Sequence, residues 1–150
     1  MTSDNIPNKN SHEAVDELGR TKLHIAANNG AYHVLREMLS EGVDVNARDN
    51  NGWTALHFAA QSNHFETIDL LLEYKADPNL HDKQGNGPLW VAAMNANGKY
   101  HGVLSLLKSH ADPYHKNKHG RSPLYIAHSI DHGLEEVFIP FAKQEGNINL

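Results

Sequence analysis

Cysteine is absent from the 150 residues. That gap excludes disulfides, thiolate zinc sites and cysteine nucleophiles together, and agrees with a reducing compartment without requiring one. Long apolar runs are missing too. None nears the roughly 20 residues that span a bilayer, and Met1 to Asn10 lack the apolar stretch of a secretory signal. A cytoplasmic protein with no membrane partner is the expectation. Nor is there an excess of positive charge: the formal net charge of −5 repels a phosphate backbone, so no nucleic-acid partner is expected. Catalytic patterns are missing as well. There is no serine elbow, no phosphate-cradling glycine loop and no acid pair in a plausible pocket, so neither an enzyme nor a cofactor is expected.

What is present is a repeat. Gly19-Arg20-Thr21-Lys22-Leu23-His24-Ile25-Ala26-Ala27 returns 33 residues later as Gly52-Trp53-Thr54-Ala55-Leu56-His57-Phe58-Ala59-Ala60. It returns again after 33 as Gly85-Asn86-Gly87-Pro88-Leu89-Trp90-Val91-Ala92-Ala93, and after 35 as Gly120-Arg121-Ser122-Pro123-Leu124-Tyr125-Ile126-Ala127. A second landmark follows each glycine: Gly42-Val43-Asp44-Val45-Asn46, Lys75-Ala76-Asp77-Pro78-Asn79, His110-Ala111-Asp112-Pro113-Tyr114, and a worn Gly146-Asn147-Ile148-Asn149.

Spacing supplies the physical unit. Leu23, Ala26 and Ala27 fall on one helical face, as do Leu56, Ala59 and Ala60, and small alanines let a short helix approach its neighbours closely. A second apolar stripe follows in each copy: Val34, Leu35, Met38 and Leu39, then Ile68, Leu71 and Leu72, then Val103, Leu104 and Leu107. Turn formers such as Asn29-Gly30 and Ser62-Asn63 separate the helices. Each copy is therefore a helix, a turn, a helix and a hairpin loop, and none can bury its apolar faces alone.

The segments TKLHIAA, TALHFAA, GPLWVAA and SPLYIA resemble the opening of the ankyrin repeat, and GVDVNA and KADPNL resemble its hairpin signature. The resemblance implies an all-α solenoid of four repeats, at about 16–48, 49–81, 82–116 and 117–150, forming one domain (16–150) behind an N-terminal tail or cap at 1–15. It implies that His24 and His57 tie adjacent loops by hydrogen bonds, a role that Trp90 and Tyr125 put in doubt for the later copies. Two extra residues near Ala96-Asn97-Gly98-Lys99 should make that turn protrude. Pro140 should kink or end its helix.

Other residues invite chemistry and are better explained structurally. His115 and His119 stand four apart near a hairpin tip, with His81 one repeat before them, but no carboxylate set surrounds them and no metal is expected. Asn46 lies in a context similar to sites that asparaginyl hydroxylases modify, and closing the hairpin turn is its preferred role.

In ankyrin proteins, partners lie along the hairpin tips and first helices. Carried over by position, the candidate binding residues are Arg20, Asn50, Asn51, Trp53, Gln61, Lys83, Gln84, Asn86, Met94, Lys118, His119 and Arg121, with Asn28, Ser62, Asn95 and Ser129 beside them. Trp53 is the foremost candidate, because its place in the repeat points outward and tryptophan is enriched in binding hot spots. Lys116, Lys118 and Arg121 should make the C-terminal end of this face basic. Glu37, Glu41, Asp44, Glu66, Asp69, Glu73 and Asp77 should make the outer face acidic.

The expected function is protein binding. The leading expectation is a dedicated inhibitor that blocks one partner, such as a toxin or effector enzyme, in the manner of a bacterial immunity protein. That expectation rests on size and on four repeats with almost nothing appended. An adaptor in a regulatory assembly is the alternative. A monomer is expected.

Overall fold

A computed structural model describes residues 15–130 and 132–142. Among them eight helices pair off along the chain. They are α1 (Lys22–Asn29) with α2 (Tyr32–Ser40), α3 (Ala55–Gln61) with α4 (Phe65–Glu73), α5 (Pro88–Met94) with α6 (His101–Lys108), and α7 (Pro123–Ile130) with α8 (His132–Ala142). First helices stack on first helices and second on second, so the core is a continuous sheet of side chains instead of a ball. Leu23, Leu56, Leu89 and Leu124 supply one buried row, and Leu35, Ile68, Val103 and Phe138 supply the other.

The first helices start where the sequence places the motif, for a local reason. Thr21 and Thr54 take extended backbone and accept the N–H of the third helical residue. That third residue is His24 or His57, whose ring in turn accepts the threonine N–H, so imidazole completes a capping box usually closed by Glu or Gln. Pro88 and Pro123 open α5 and α7 instead, at the one position where a missing N–H is harmless.

The long turn of the third copy protrudes as expected: Asn97, Gly98 and Lys99 are exposed, while Ala96 is buried beneath them. Pro140 lies inside α8, and the helix runs on to Ala142, so the proline does not stop it on the spot. The fourth landmark at Gly146-Asn147-Ile148-Asn149 and residues 1–14 of the expected tail lie outside the described residues.

Candidate partner-binding face

The hairpins are built alike around one side-chain oxygen each. Asp16 Oδ1 accepts from the Leu18 and Arg20 N–H groups, and Asp49 Oδ1 from those of Asn51 and Trp53. Asp82 Oδ1 does the same for Gln84 and Asn86, and Asn117 Oδ1 for His119 and Arg121, all at 2.8–3.0 Å. A short acidic or amide side chain suits this job because it can mimic a backbone turn. The glycine three residues on then has φ of +73 to +84°. At Gly52 and Gly85 a side chain would also meet the backbone of Asp82 and of Asn117 at 3.0–3.1 Å, so close packing of hairpins demands glycine there.

Successive hairpins are stitched by backbone bonds: Asn50 N–H to the Leu18 carbonyl, Lys83 N–H to Asn51, and Lys118 N–H to Gln84, each 2.9–3.0 Å. Asn46 and Asn79 add a parallel stitch at the base, accepting from the Asp77 and Asp112 N–H groups at 2.9 and 2.8 Å. Asn46 thus serves in the structure as a bridge between repeats.

This architecture sorts the charges. Each of the three hairpin aspartates gives one oxygen, Oδ1, to backbone N–H groups, while Oδ2 of Asp16 accepts from Arg20 Nε and Oδ2 of Asp82 from Trp53 Nε1. The Arg20 N–H above all holds the Asp16 carboxyl below its usual range. The exposed cations Lys22, Arg48, Lys83, Lys116, Lys118 and Arg121 lie on the hairpins and first helices, and Arg36, Lys75, Lys99 and Lys108 lie on the second helices and the turns beside them. Glu37, Glu41, Asp44, Glu66, Asp69, Glu73 and Asp77 are exposed on the second helices and the turns after them, as expected.

Of the candidate residues, Asn50, Asn51, Gln61, Lys83, Gln84, Met94, Lys118, His119 and Arg121 are exposed along this face. Arg20 is half-buried and paired to Asp16 at 2.7 Å. Asn86 is half-buried too, its Oδ1 accepting from Asn117 Nδ2 at 2.8 Å. Trp53 requires a correction, because it does not stand outward. Its Nε1–H donates to Asp82 Oδ2 at 2.8 Å, and its ring stacks on His57 (5.4 Å, 26°) and meets Phe58 edge-on. A large ring beside a neighbouring hairpin gains more by lying across it than by standing in water. Asn28 and Ser62 bond to each other, Ser62 Oγ–H donating at 3.0 Å.

Ile25 and Tyr125 are exposed apolar residues of first helices that the sequence-based candidates leave out. The second of them, Tyr125, has the more developed surroundings. It is 50% exposed, with the Arg121 guanidinium 5.9 Å from its ring centroid, beside an open cleft of about 620 Å³ whose lining includes Lys116 and His128. The signal was its position: the motif residue of the last copy has no described hairpin beyond it to cover it.

The motif histidines behave as ties. His24 Nδ1 accepts from Thr21, so the proton sits on Nε2, which donates to the Trp53 carbonyl at 2.9 Å. His57 repeats the pattern to Asn86 at 3.0 Å. Burial lowers both imidazoles, His57 to about 4. At the third copy the tie is missing, since Trp90 Nε1 is buried with no hydrogen-bond partner.

Among the described residues no three histidines, aspartates or glutamates gather as a metal would need, and no helix is long and apolar enough to cross a membrane. Residues 4–82 match a family model described as ankyrin repeats in three copies. No curated protein matches the chain.

Proposed function

The chain belongs to the ankyrin-repeat family, a family of protein-interaction modules, and on that footing we propose that it is a dedicated inhibitor whose hairpin and first-helix face covers an acidic site on one partner protein. The observation that carries this reading is the sorting of charge. At the last two tips, 82–86 and 116–121, the four cations Lys83, Lys116, Lys118 and Arg121 outnumber the one carboxylate, Asp82, on a chain that is acidic overall. Exposed Ile25, Met94 and Tyr125 stand on first helices along the same face, Tyr125 beside Arg121, and give apolar contact, and such mixed surfaces suit specific binding.

Trp53 keeps a place in the site, now as a support. Its ring braces Phe58 and holds the Asp82 hairpin that presents Lys83 and Gln84. A rigid ridge of hairpins suits one partner surface in one register, because little ordering is left to pay for on binding. That rigidity favours an inhibitor, of the kind that immunity proteins are toward toxins, over an adaptor with several partners.

Affinity capture from the native organism, with mass spectrometry and an activity assay of what is captured, tests this reading. One stoichiometric partner, acidic at its contact surface and inactivated on binding, is the expected result. Several substoichiometric partners would replace the inhibitor with the adaptor.

A further inference from the structure

His81 and His115 belong to the third and fourth hairpin loops, and their rings lie flat on one another, centroids 3.6 Å apart and planes 14° from parallel. Parallel rings hold their nitrogens side by side, so the pair does not converge on a metal. Stacking of this kind is favourable while at most one ring is charged. Gly87 closes the space on one side, where an added Cβ would come within 3.1 Å of the His81 ring. The ring is thus confined between backbone and its partner.

The place matters because this junction lacks the tie its neighbours have. His24 and His57 reach across the first two junctions to a backbone carbonyl, whereas Trp90 makes no such bond across the third. What remains there is the Lys118-to-Gln84 stitch, the Asn117–Asn86 amide bond, the Asn79 bridge to Asp112 and His110, and the stacked imidazoles.

We propose that the His81–His115 stack is a proton-sensitive latch that closes the third and fourth hairpins at neutral pH and opens them on acidification. The first proton is favoured by the charges of the nearby carboxylates. The second must be placed 3.6 Å from a like charge, where repulsion is strong and poorly screened. The groups facing His81 are Asp82 on its own hairpin, Asp112 on the next loop, Arg48 on the preceding hairpin and His57 in α3, with His115 on its face. The two carboxylates favour the proton, while Arg48, His57 and His115 oppose it. Burial first, and then the neighbouring His115, hold the His81 imidazole below its usual value. The latch sits beneath Lys83, Gln84, Lys118 and His119, so its opening also loosens half of the face described above. It does not depend on what that face binds.

Amide hydrogen exchange by NMR, at about pH 7.5 and about pH 5 with intrinsic rates corrected, reads the latch directly. The Lys118 and Asp112 amides, which cross this junction, should lose about tenfold protection relative to Lys83 and Asp77, their counterparts one junction earlier; tenfold corresponds to a coupling of about one pK unit. His115→Phe keeps a ring on His81 without a proton site and should abolish that difference. His115→Lys fixes a charge there and should loosen the same amides already at about pH 7.5. The His81 imidazole, held below its ordinary value beside His115, should titrate at higher pH in His115→Phe. Equal protection at both junctions at about pH 5, or a His81 titration that His115→Phe does not move, would overturn the proposal. So would an unchanged pH response in His115→Phe.

Discussion

At the first two junctions a buried imidazole is fastened on both sides, to the threonine that caps its helix and to the hairpin of the next repeat. At the third, a half-buried tryptophan fills the same place by bulk, and its one polar atom finds nothing to hold. The earlier junctions therefore carry directional bonds inside the core, and the later one carries packing inside with imidazoles stacked at the surface. Close packing holds position without the direction that a buried hydrogen bond gives. The first three repeats are the frame of this molecule, bonded through its core, and the last, with its basic tip and exposed Tyr125, is held on that frame by packing and by bonds at the hairpins.

The strongest way to break the comparison is to damage the frame. Leu56 is 1% exposed and stacks between the first and third leucines of its row, so Leu56→Ala should lower stability by about 2–5 kcal/mol in urea unfolding. A neutral result would mean that the repeat register is wrong.

Acid tests the same frame. The His57 imidazole titrates at about 4 folded and near its ordinary 6.5 unfolded, so below 6.5 the unfolded chain takes the proton first. Stability is complete above about pH 6.5 and falls as pH drops toward 4. One such group removes up to about 3 kcal/mol over that range, at about 1.4 kcal/mol per unit. His24 acts in the same direction. Urea midpoints measured across this range should fall, and His57→Gln should flatten the slope while lowering stability at neutral pH. A midpoint that is constant from neutral pH to about 4.5 would show that the buried ties carry no proton linkage.

Smaller effects sharpen the contrast. Trp53→Phe keeps a ring over Phe58 and loses the Asp82 bond, so it should lower stability by about 1–2 kcal/mol, the range for a partly exposed bond to a charged acceptor. A thermal melt checks it, and no change would mean that Asp82 needs only its backbone bonds. Smallest in stability is Lys118→Glu, expected within about 0.5 kcal/mol because the side chain is exposed. Its effect should fall on binding, with an equilibrium measurement on the captured partner showing weaker affinity and a shallower salt dependence. Undiminished affinity would move the site off the last tip.

The helices were legible in the sequence because their determinants are local and repeated. Leu23, Leu56 and Leu89 fall at one offset, with threonine two residues before the first two and proline directly before the third. The exposed tips were legible for the same reason. Trp53 was misjudged because its acceptor, Asp82, lies 29 residues away on the next hairpin, and side-chain direction there depends on that neighbour. The His81–His115 stack was half legible. The two histidines occupy neighbouring repeats 34 residues apart, one short of the 35-residue offset of the hairpins that carry them, and ring contact depends on how those hairpins pack. Spacing alone identifies residues that repeat, and does not say which of their side chains meet.

The backbone stitch between hairpins has a direction: each tip donates toward the preceding hairpin and offers its carbonyl to the following one. A whole additional copy of residues 49–81, inserted between the second and third repeats, would therefore find a waiting donor on one side and a waiting acceptor on the other. An insertion of half that length would leave both stranded. In evolutionary terms the protein can lengthen only in complete paragraphs, which ties the size of any surface it covers to a whole number of repeats.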